Sequence, residues 1–286
     1  MTAIALALVA AVGYGVSDFI GGVASRRVAA LRIVIVSYPL SVLIVLLVAP
    51  FFGGSLTAPA VWWALASGIA AGLAVWWFYL ALASGPMAVV SPLTAVLVAG
   101  IPVVVGIGIG ERPGALAFVG IALALVAVVL VSRESPDSTT EEITGGRELR
   151  FTATVAWLTV GSGVAFAVSF IFLHRIPEGG GLWPIVVSRV AATLVVWLVA
   201  VAARLFSPPR GEPLRLAVYV SFLDVISSSA MLFAFQSGLL SLVSVIGSLY
   251  PAATVLLAMV MLGERVGRLQ QVGMVLALGA VALIAV

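Results

Sequence analysis

Ten apolar stretches, each about the twenty residues a helix needs to cross lipid, follow one another along this chain of 286 residues with only short breaks between most of them. They run near Thr2–Ala24, Leu31–Phe52, Pro59–Ala83, Met87–Ile109 and Gly114–Ser132, then near Phe151–Leu173, Leu182–Phe206, Pro213–Ser237, Ser241–Leu262 and Gly267–Val286. Within lipid the backbone must satisfy its own hydrogen bonds, which leaves helices or closed barrels. Barrel strands read as segments of about ten residues alternating polar and apolar, whereas these runs are long and uniformly apolar. The expected fold is therefore an all-α integral membrane protein of about ten transmembrane helices. With 63% hydrophobic and only 9% charged residues, little is left for a soluble domain.

The polar inventory removes several chemistries. There is no cysteine and a single histidine, so thiolate catalysis, haem attachment and Cys/His zinc sites drop out, and no cofactor is expected. The net charge of +3 comes from arginines that lie mostly between the apolar runs, which is a topological signal and not a nucleic-acid surface. The expected partners are a lipid bilayer, a small-molecule substrate and protons as a candidate coupling ion, with no nucleic acid. The first run has no basic residue before it and carries Asp18 within it, unlike a signal peptide, so it is expected to remain in the mature chain.

A register of 153 residues divides the chain in two. Gly110, Glu111 and Arg112 recur as Gly263, Glu264 and Arg265, and the offset continues from Gly114, Gly120 and Val128 onto Gly267, Gly273 and Val281. Upstream it carries Ser84-Gly85 onto Ser237-Gly238, while Tyr14-Gly-Val-Ser17 resembles Phe166-Ala-Val-Ser169 more loosely. The stretch from Arg133 to Arg150, with five acidic residues, a proline and paired glycines, reads as a linker. The organisation is thus a first five-helix repeat (1–132), a polar linker (133–150) and a second five-helix repeat (151–286). An odd number of spans per unit inverts the second copy in the bilayer, the inverted repeat found in many secondary transporters.

The segment Leu262-Gly-Glu-Arg265, after a helix containing Pro251 and before Gly273 in the last helix, resembles the drug/metabolite transporter superfamily, and within it the ten-helix EamA-type permeases. Each half of such a protein ends in a proline-containing helix, a Gly-Glu corner and a glycine-rich final helix. In the first half Val98 stands where the second has Pro251, and the prolines are Pro92 and Pro102, so a helix break is expected at different heights in the two halves. The resemblance implies a proton-coupled or facilitated carrier, often an exporter, of small metabolites such as amino acids. It also implies termini in the cytoplasm. The arginines favour the opposite orientation: with the amino terminus outside, Arg26, Arg27, Arg32, Arg133, Arg147, Arg150, Arg204, Arg210, Arg215, Arg265 and Arg268 face the cytoplasm, leaving Arg112 and Arg175 outside.

Ionisable groups within a span are costly and mark function. Asp18, Arg189 and Asp224 qualify. Asp18 falls late in the first helix and Asp224 is read as early in the eighth, which would put both carboxylates in one leaflet half as candidate proton carriers; the competing role for Asp18 is an ion pair with Arg27 or Arg32. Arg189 enters from the other leaflet, placed to hold a substrate carboxylate or to snorkel to the interface. Ser221, Asp224 and Ser228 share one helix face, and Ser241, Ser244 and Ser248 repeat the spacing, which predicts two wetted walls of a cavity or, alternatively, hydrogen-bonded helix contacts. Trp76 and Tyr79, at i and i+3, and Tyr14, one turn from Asp18, are candidates for an aromatic lining or for packing and the interfacial belt to which Trp62 and Trp63 are assigned. Glu111 and Glu264 are expected to complement the positive end of the helix that follows each of them. Gly68/Gly72 and Gly106/Gly110 have the spacing of close helix contacts. His174, at a helix end, is expected to be solvated, and Pro92, Pro102 and Pro251 are candidate flex points.

These features fit a secondary-active, alternating-access transporter, an exporter by resemblance, of small polar or amphipathic metabolites, sitting as a multi-pass protein in the cell (inner) membrane. An intramembrane lipid-modifying enzyme is the alternative, but no G-x-S-x-G elbow, Ser/His pair or metal-ligand cluster supports it. A non-transporting membrane partner subunit is the third reading. No P-loop supports ATP-driven pumping.

Overall fold

The computed structural model describes residues 1–25, 28–84, 87–131, 152–204, 206–262 and 267–285. The expected linker 133–150, Arg26, Arg27 and the Gly263-Glu264-Arg265 corner lie outside them. The first half comprises α1 (Thr2–Ser25), α2 (Ala30–Val48), α3 (Ala58–Ser84), α4 (Met87–Gly108) and α5 (Ala115–Val131). The second comprises α6 (Ala153–His174), α7 (Trp183–Ala202), α8 (Glu212–Ser237), α9 (Leu240–Gly247), α10 (Tyr250–Leu262) and α11 (Arg268–Ala285). Among the described residues there is no strand. Seven segments are long and apolar enough to cross a membrane, α9 and α10 counting as one, and Leu93–Gly108, Ala115–Val131 and Arg268–Ile284 are shorter apolar helices. Together they give the ten expected segments of an integral membrane protein. Leu47, Leu198, Val260 and Leu278 are exposed, the outward apolar surface that lipid would cover.

The halves are wound around each other. The strongest packing of α1 is on α8 and that of α3 on α6, and α2 with α8 is mirrored by α7 with α3. Exchanging the halves thus reproduces the pattern of partners. The clearest signature is between α5 and α11. A side chain at Gly120 would meet Ile284 and the Ala280 carbonyl; one at Gly273 would meet Leu130 and Val131. Gly273 follows Gly120 by 153 residues, and Ile284 follows Val131 by the same 153. Each helix therefore presents the same patch to the other, an isologous contact between antiparallel helices, as a twofold axis across the helices requires. This is the contact that the inverted repeat read from the sequence calls for.

Glycine lets the helices approach to this distance. Valine at Gly120 or at Gly273 is expected to destabilise the protein by about 1–3 kcal/mol, the usual cost of overpacking a filled core, and by similar amounts at the two sites because the contacts are related by symmetry. Gly279→Val is the control, since nothing lies within 4 Å of a side chain there. Thermal unfolding in detergent reads the difference; a Gly120 variant as stable as the control would contradict the packing. Gly68 and Gly72 meet the prediction made from their spacing, because α7 lies against both, at Ser188 and Ala191 and at Ala192 and Val195.

The prolines behave unequally. α4 runs unbroken through Pro92 and Pro102, so the break expected in the first half is not seen there, whereas the second-half counterpart is interrupted at Ser248 and Leu249, just before Pro251. Proline lacks the N–H that would have bonded the Gly247 carbonyl, so α9 ends there and α10 starts afresh.

Candidate functional site

The break between α9 and α10 lies against α1. At Gly15 the absence of a side chain lets the backbone of Tyr250 and Thr254 come close, and the Thr254 hydroxyl donates to the Gly15 carbonyl at 2.9 Å. One turn further along α1 is Asp18, which is exposed and has Tyr14 of α1, Tyr79 of α3 and Tyr250 of α10 as electrostatic neighbours. Among the described residues Asp18 has no ion-pair partner, so Arg32 does not engage it; Arg27 lies outside those residues.

The second part of the site is a buried ion pair. Arg189 Nη2 is 2.9 Å from Asp224 Oδ1, and both side chains are nearly enclosed, at 11% and 13% exposed. The guanidinium also stands over the Tyr38 ring, 5.7 Å from its centroid, and has Tyr14 as an electrostatic neighbour. This corrects the expectation that Arg189 and Asp224 approach from opposite leaflets. α8 spans Glu212–Ser237, so Asp224 lies at its middle and not early in it, level with an arginine a third of the way along α7. The pairing also removes Arg189 as a free anchor for a substrate carboxylate and as a snorkelling residue. Asp224 Oδ2 has no hydrogen-bond partner among the described residues. Ser41 of α2 lies close enough to interact with the Asp224 carboxylate, yet its hydroxyl is directed at the carbonyls of Ser37 at 2.9 Å and Ser221 at 3.3 Å.

Tyr14 joins the two parts, since both Asp18 and the Arg189–Asp224 pair act on it. The structure thus brings together five of the sequence-predicted site residues: Tyr14, Asp18, Tyr79, Arg189 and Asp224. The Trp76 ring lies against Trp77, with centroids 6.5 Å apart. The serine stripes are not wetted walls here. Ser221, Ser228, Ser241, Ser244 and Ser248 are all buried. Ser221 donates to the Ala217 carbonyl, Ser228 to that of Asp224 and Ser248 to that of Val245, each back onto its own helix, because a hydroxyl sealed between helices finds the preceding turn's carbonyl nearest. Ser241 and Ser244 hydroxyls have no partner among the described residues. Sequence reasoning missed Tyr38, Ser41 and Tyr250. Tyr38 and Tyr250 each precede a proline, Pro39 and Pro251, which was the available signal.

At the end of the bundle where α1 begins, contacts between elements are dense. Glu111 accepts from the backbone N–H of Leu240 at 2.6 Å and of Ser241 at 3.0 Å. It therefore caps α9 of the other half, not the α5 that follows it, as was expected; α9 has no side-chain cap of its own, and Gly110, at φ +99°, turns the chain to aim the carboxylate there. At the same end Gly238 packs on Ala3, the backbone of Gly54 on Gly179–Gly181, and Phe52 stacks on Phe233. His174 is not simply solvated: its Nδ1 is 3.1 Å from the Phe235 carbonyl and its ring stands edge-on to Phe235.

Inverted repeats with ionisable groups near the middle of the membrane recur among secondary transporters. Residues 153–286 match the model of the EamA-like transporter family, part of the drug/metabolite transporter superfamily, which bears out the resemblance carried by Leu262-Gly-Glu-Arg265. The match covers the second repeat, just under half of the chain, and the family is one of membrane transporters of the drug/metabolite type. A solved crystal structure superposes with a TM-score of 0.75 over 98% of this chain and 95% of its own, at 16% sequence identity, a likeness of fold. No curated protein matches the chain.

Proposed function

We propose that the protein is a secondary-active carrier that moves small polar or amphipathic metabolites across the cell membrane by alternating access, with the substrate taken up beside Asp18, Tyr14, Tyr79 and Tyr250. The observation that carries this reading is the isologous packing of α5 on α11 around Gly120 and Gly273, together with Asp18, an exposed carboxylate on a membrane helix with no ion-pair partner among the described residues. Symmetry-related halves admit two packings of similar free energy that close opposite ends. On this reading the end where Glu111, Gly238 and the Gly54–Gly181 contact join the halves is the closed one, and Asp18 lies toward the other end of α1. By the distribution of arginines that other end is cytoplasmic, so this conformation corresponds to an inward-facing state. Export then begins with loading from the cytoplasm. Proton coupling through Asp18 is part of the proposal, since an accessible carboxylate near the centre can exchange a proton with either side in turn.

Two-sided access is directly testable, because a chain without cysteine gives no labelling background. A Tyr14→Cys variant in oriented vesicles is expected to react with a membrane-impermeant maleimide added from either side, in proportions that shift when one end is favoured. Labelling from one side alone under every condition would rule out alternating access.

A further inference from the structure

An apolar groove runs along the outside of the bundle between α2 of the first half and α7 of the second, which pack on each other. Two hollows of about 220 and 250 Å³ form it; both are lined by Pro39, Leu43 and Trp197, and they extend to Phe206 at one end and Leu194 at the other. Proline at 39 has no N–H to bond the Ile35 carbonyl one turn back. The Trp197 indole N–H donates to that carbonyl instead, at 3.0 Å. Thr193, the one hydroxyl-bearing residue of the lining, donates to the Arg189 carbonyl at 2.7 Å. The polar groups of the walls are thus satisfied within the protein, and the groove presents hydrocarbon. Leu43 and Leu194 are 55% and 61% exposed, so it opens outward, toward the bilayer.

An acyl chain suits such walls, but lipid tails are as apolar as leucine, so the groove by itself prefers no particular lipid. Selectivity comes from the charge at its end. Arg32 lies three residues before Ile35 and shares its side of α2, while Arg204 and Arg210 bracket Phe206 and Pro208, which line the groove after α7. The fold gathers these arginines at one end. Ile35, early in α2, meets Trp197, late in α7, and Phe206 turns back to stand edge-on to Trp197, with centroids 5.9 Å apart. That return starts at Arg204, the only non-glycine residue of positive φ (+56°) among the described residues. All three arginines are exposed and have no ion-pair partner among the described residues. Glu212, the acidic residue that follows them, sits in the first turn of α8, where it complements the positive end of that helix.

We propose that this groove binds an anionic phospholipid, one acyl chain lying between α2 and α7 and the phosphate head group held by Arg32, Arg204 and Arg210. Arginine pairs with phosphate through directed, charge-assisted hydrogen bonds, and a basic cluster at the end of a span selects anionic head groups over zwitterionic ones. Because the walls come from both halves, the lipid bridges them. It is a site on the outer face of the protein, separate from Asp18, and does not depend on the carrier reading.

Phosphatidylglycerol carrying a diazirine on its acyl chain is the probe, photoactivated with the purified full chain in neutral detergent and mapped by mass spectrometry of the peptides. Labelling is expected on 35–43 and 190–208 above every other segment. Unlabelled phosphatidylglycerol is expected to compete at a concentration ~10-fold lower than phosphatidylcholine of the same chains. Arg204→Gln with Arg210→Gln should remove most of that preference. Leu43→Trp, which fills the groove, should bring labelling there down to the level of the other segments, while Leu278→Trp, on the exposed face of α11, should leave it unchanged; thermal unfolding reports whether each variant is folded. Equal competition by the two lipids, or label spread evenly over the lipid-facing helices, overturns the proposal, and both of these readings use the unaltered protein. Undiminished labelling of folded Leu43→Trp overturns it as well. Sedimentation of the wild type as a dimer that Leu43→Trp dissociates would assign the groove to a second copy of the chain and overturn the lipid.

Discussion

Arg189→Gln is expected to lower stability by about 3–5 kcal/mol and to abolish transport. The loss arises because removing one member of a buried ion pair leaves the other charged and uncompensated, and Asp224, already lacking a partner on Oδ2, would then have none on Oδ1 either. A paired replacement separates the two effects. Arg189→Met with Asp224→Leu removes both charges together, and such exchanges are often neutral or stabilising. The double variant should therefore unfold near the wild-type temperature while remaining inactive in liposomes. Wild-type stability in the single variant would mean that the pair is not enclosed as the geometry has it. Activity in the double variant would remove the pair from the transport site and reduce it to a brace between α7 and α8.

The second large effect is expected at Glu111. Its two oxygens cap the N–H groups of Leu240 and Ser241, whose side chains are fully buried. Glu111→Ala leaves two donors unsatisfied at about 1–3 kcal/mol each, and it removes a negative charge from the positive end of α9. Because the contact joins the end of α4 to α9 across the repeat boundary, much of that loss falls on the closed end and not on the fold as a whole. A change of about 2 kcal/mol alters a two-state population roughly thirtyfold, so a cysteine introduced at Ala3, which packs on Gly238 at this end, should label much faster in the Glu111→Ala background. Glu111→Gln keeps one acceptor and should give an intermediate rate. Equal labelling in all three proteins would show that the carboxylate does not hold the end closed.

The helical membrane fold and its duplication were legible in the sequence because both depend on one-dimensional signals: run length, and the offset that relates Gly120 to Gly273. The site was legible only as membership. Asp18, Tyr14, Tyr79, Arg189 and Asp224 stood out as polar groups in apolar helices, but helical periodicity gives a residue's face and height, not the helix that comes to meet it. Arg189 and Asp224 were therefore placed apart, and Glu111 was assigned to the wrong helix, since its true neighbour lies 129 residues away. The serines misled for a different reason. A hydroxyl can satisfy itself on its own helix, as Ser221 and Ser228 do, so a polar stripe does not by itself mark water. Tyr38 and Tyr250 went unnoticed because tyrosine is unremarked in a membrane helix until its neighbours are known.

The winding of the halves has one more implication. With α1 seated chiefly on α8 and α3 on α6, neither half holds the surfaces that complete it, and five helices alone would expose to lipid the small residues shaped for absent neighbours. The protein behaves in this respect as a dimer whose subunits happen to be joined. Joining the two in one chain fixes an antiparallel partnership that separate five-helix units would have to find by encounter.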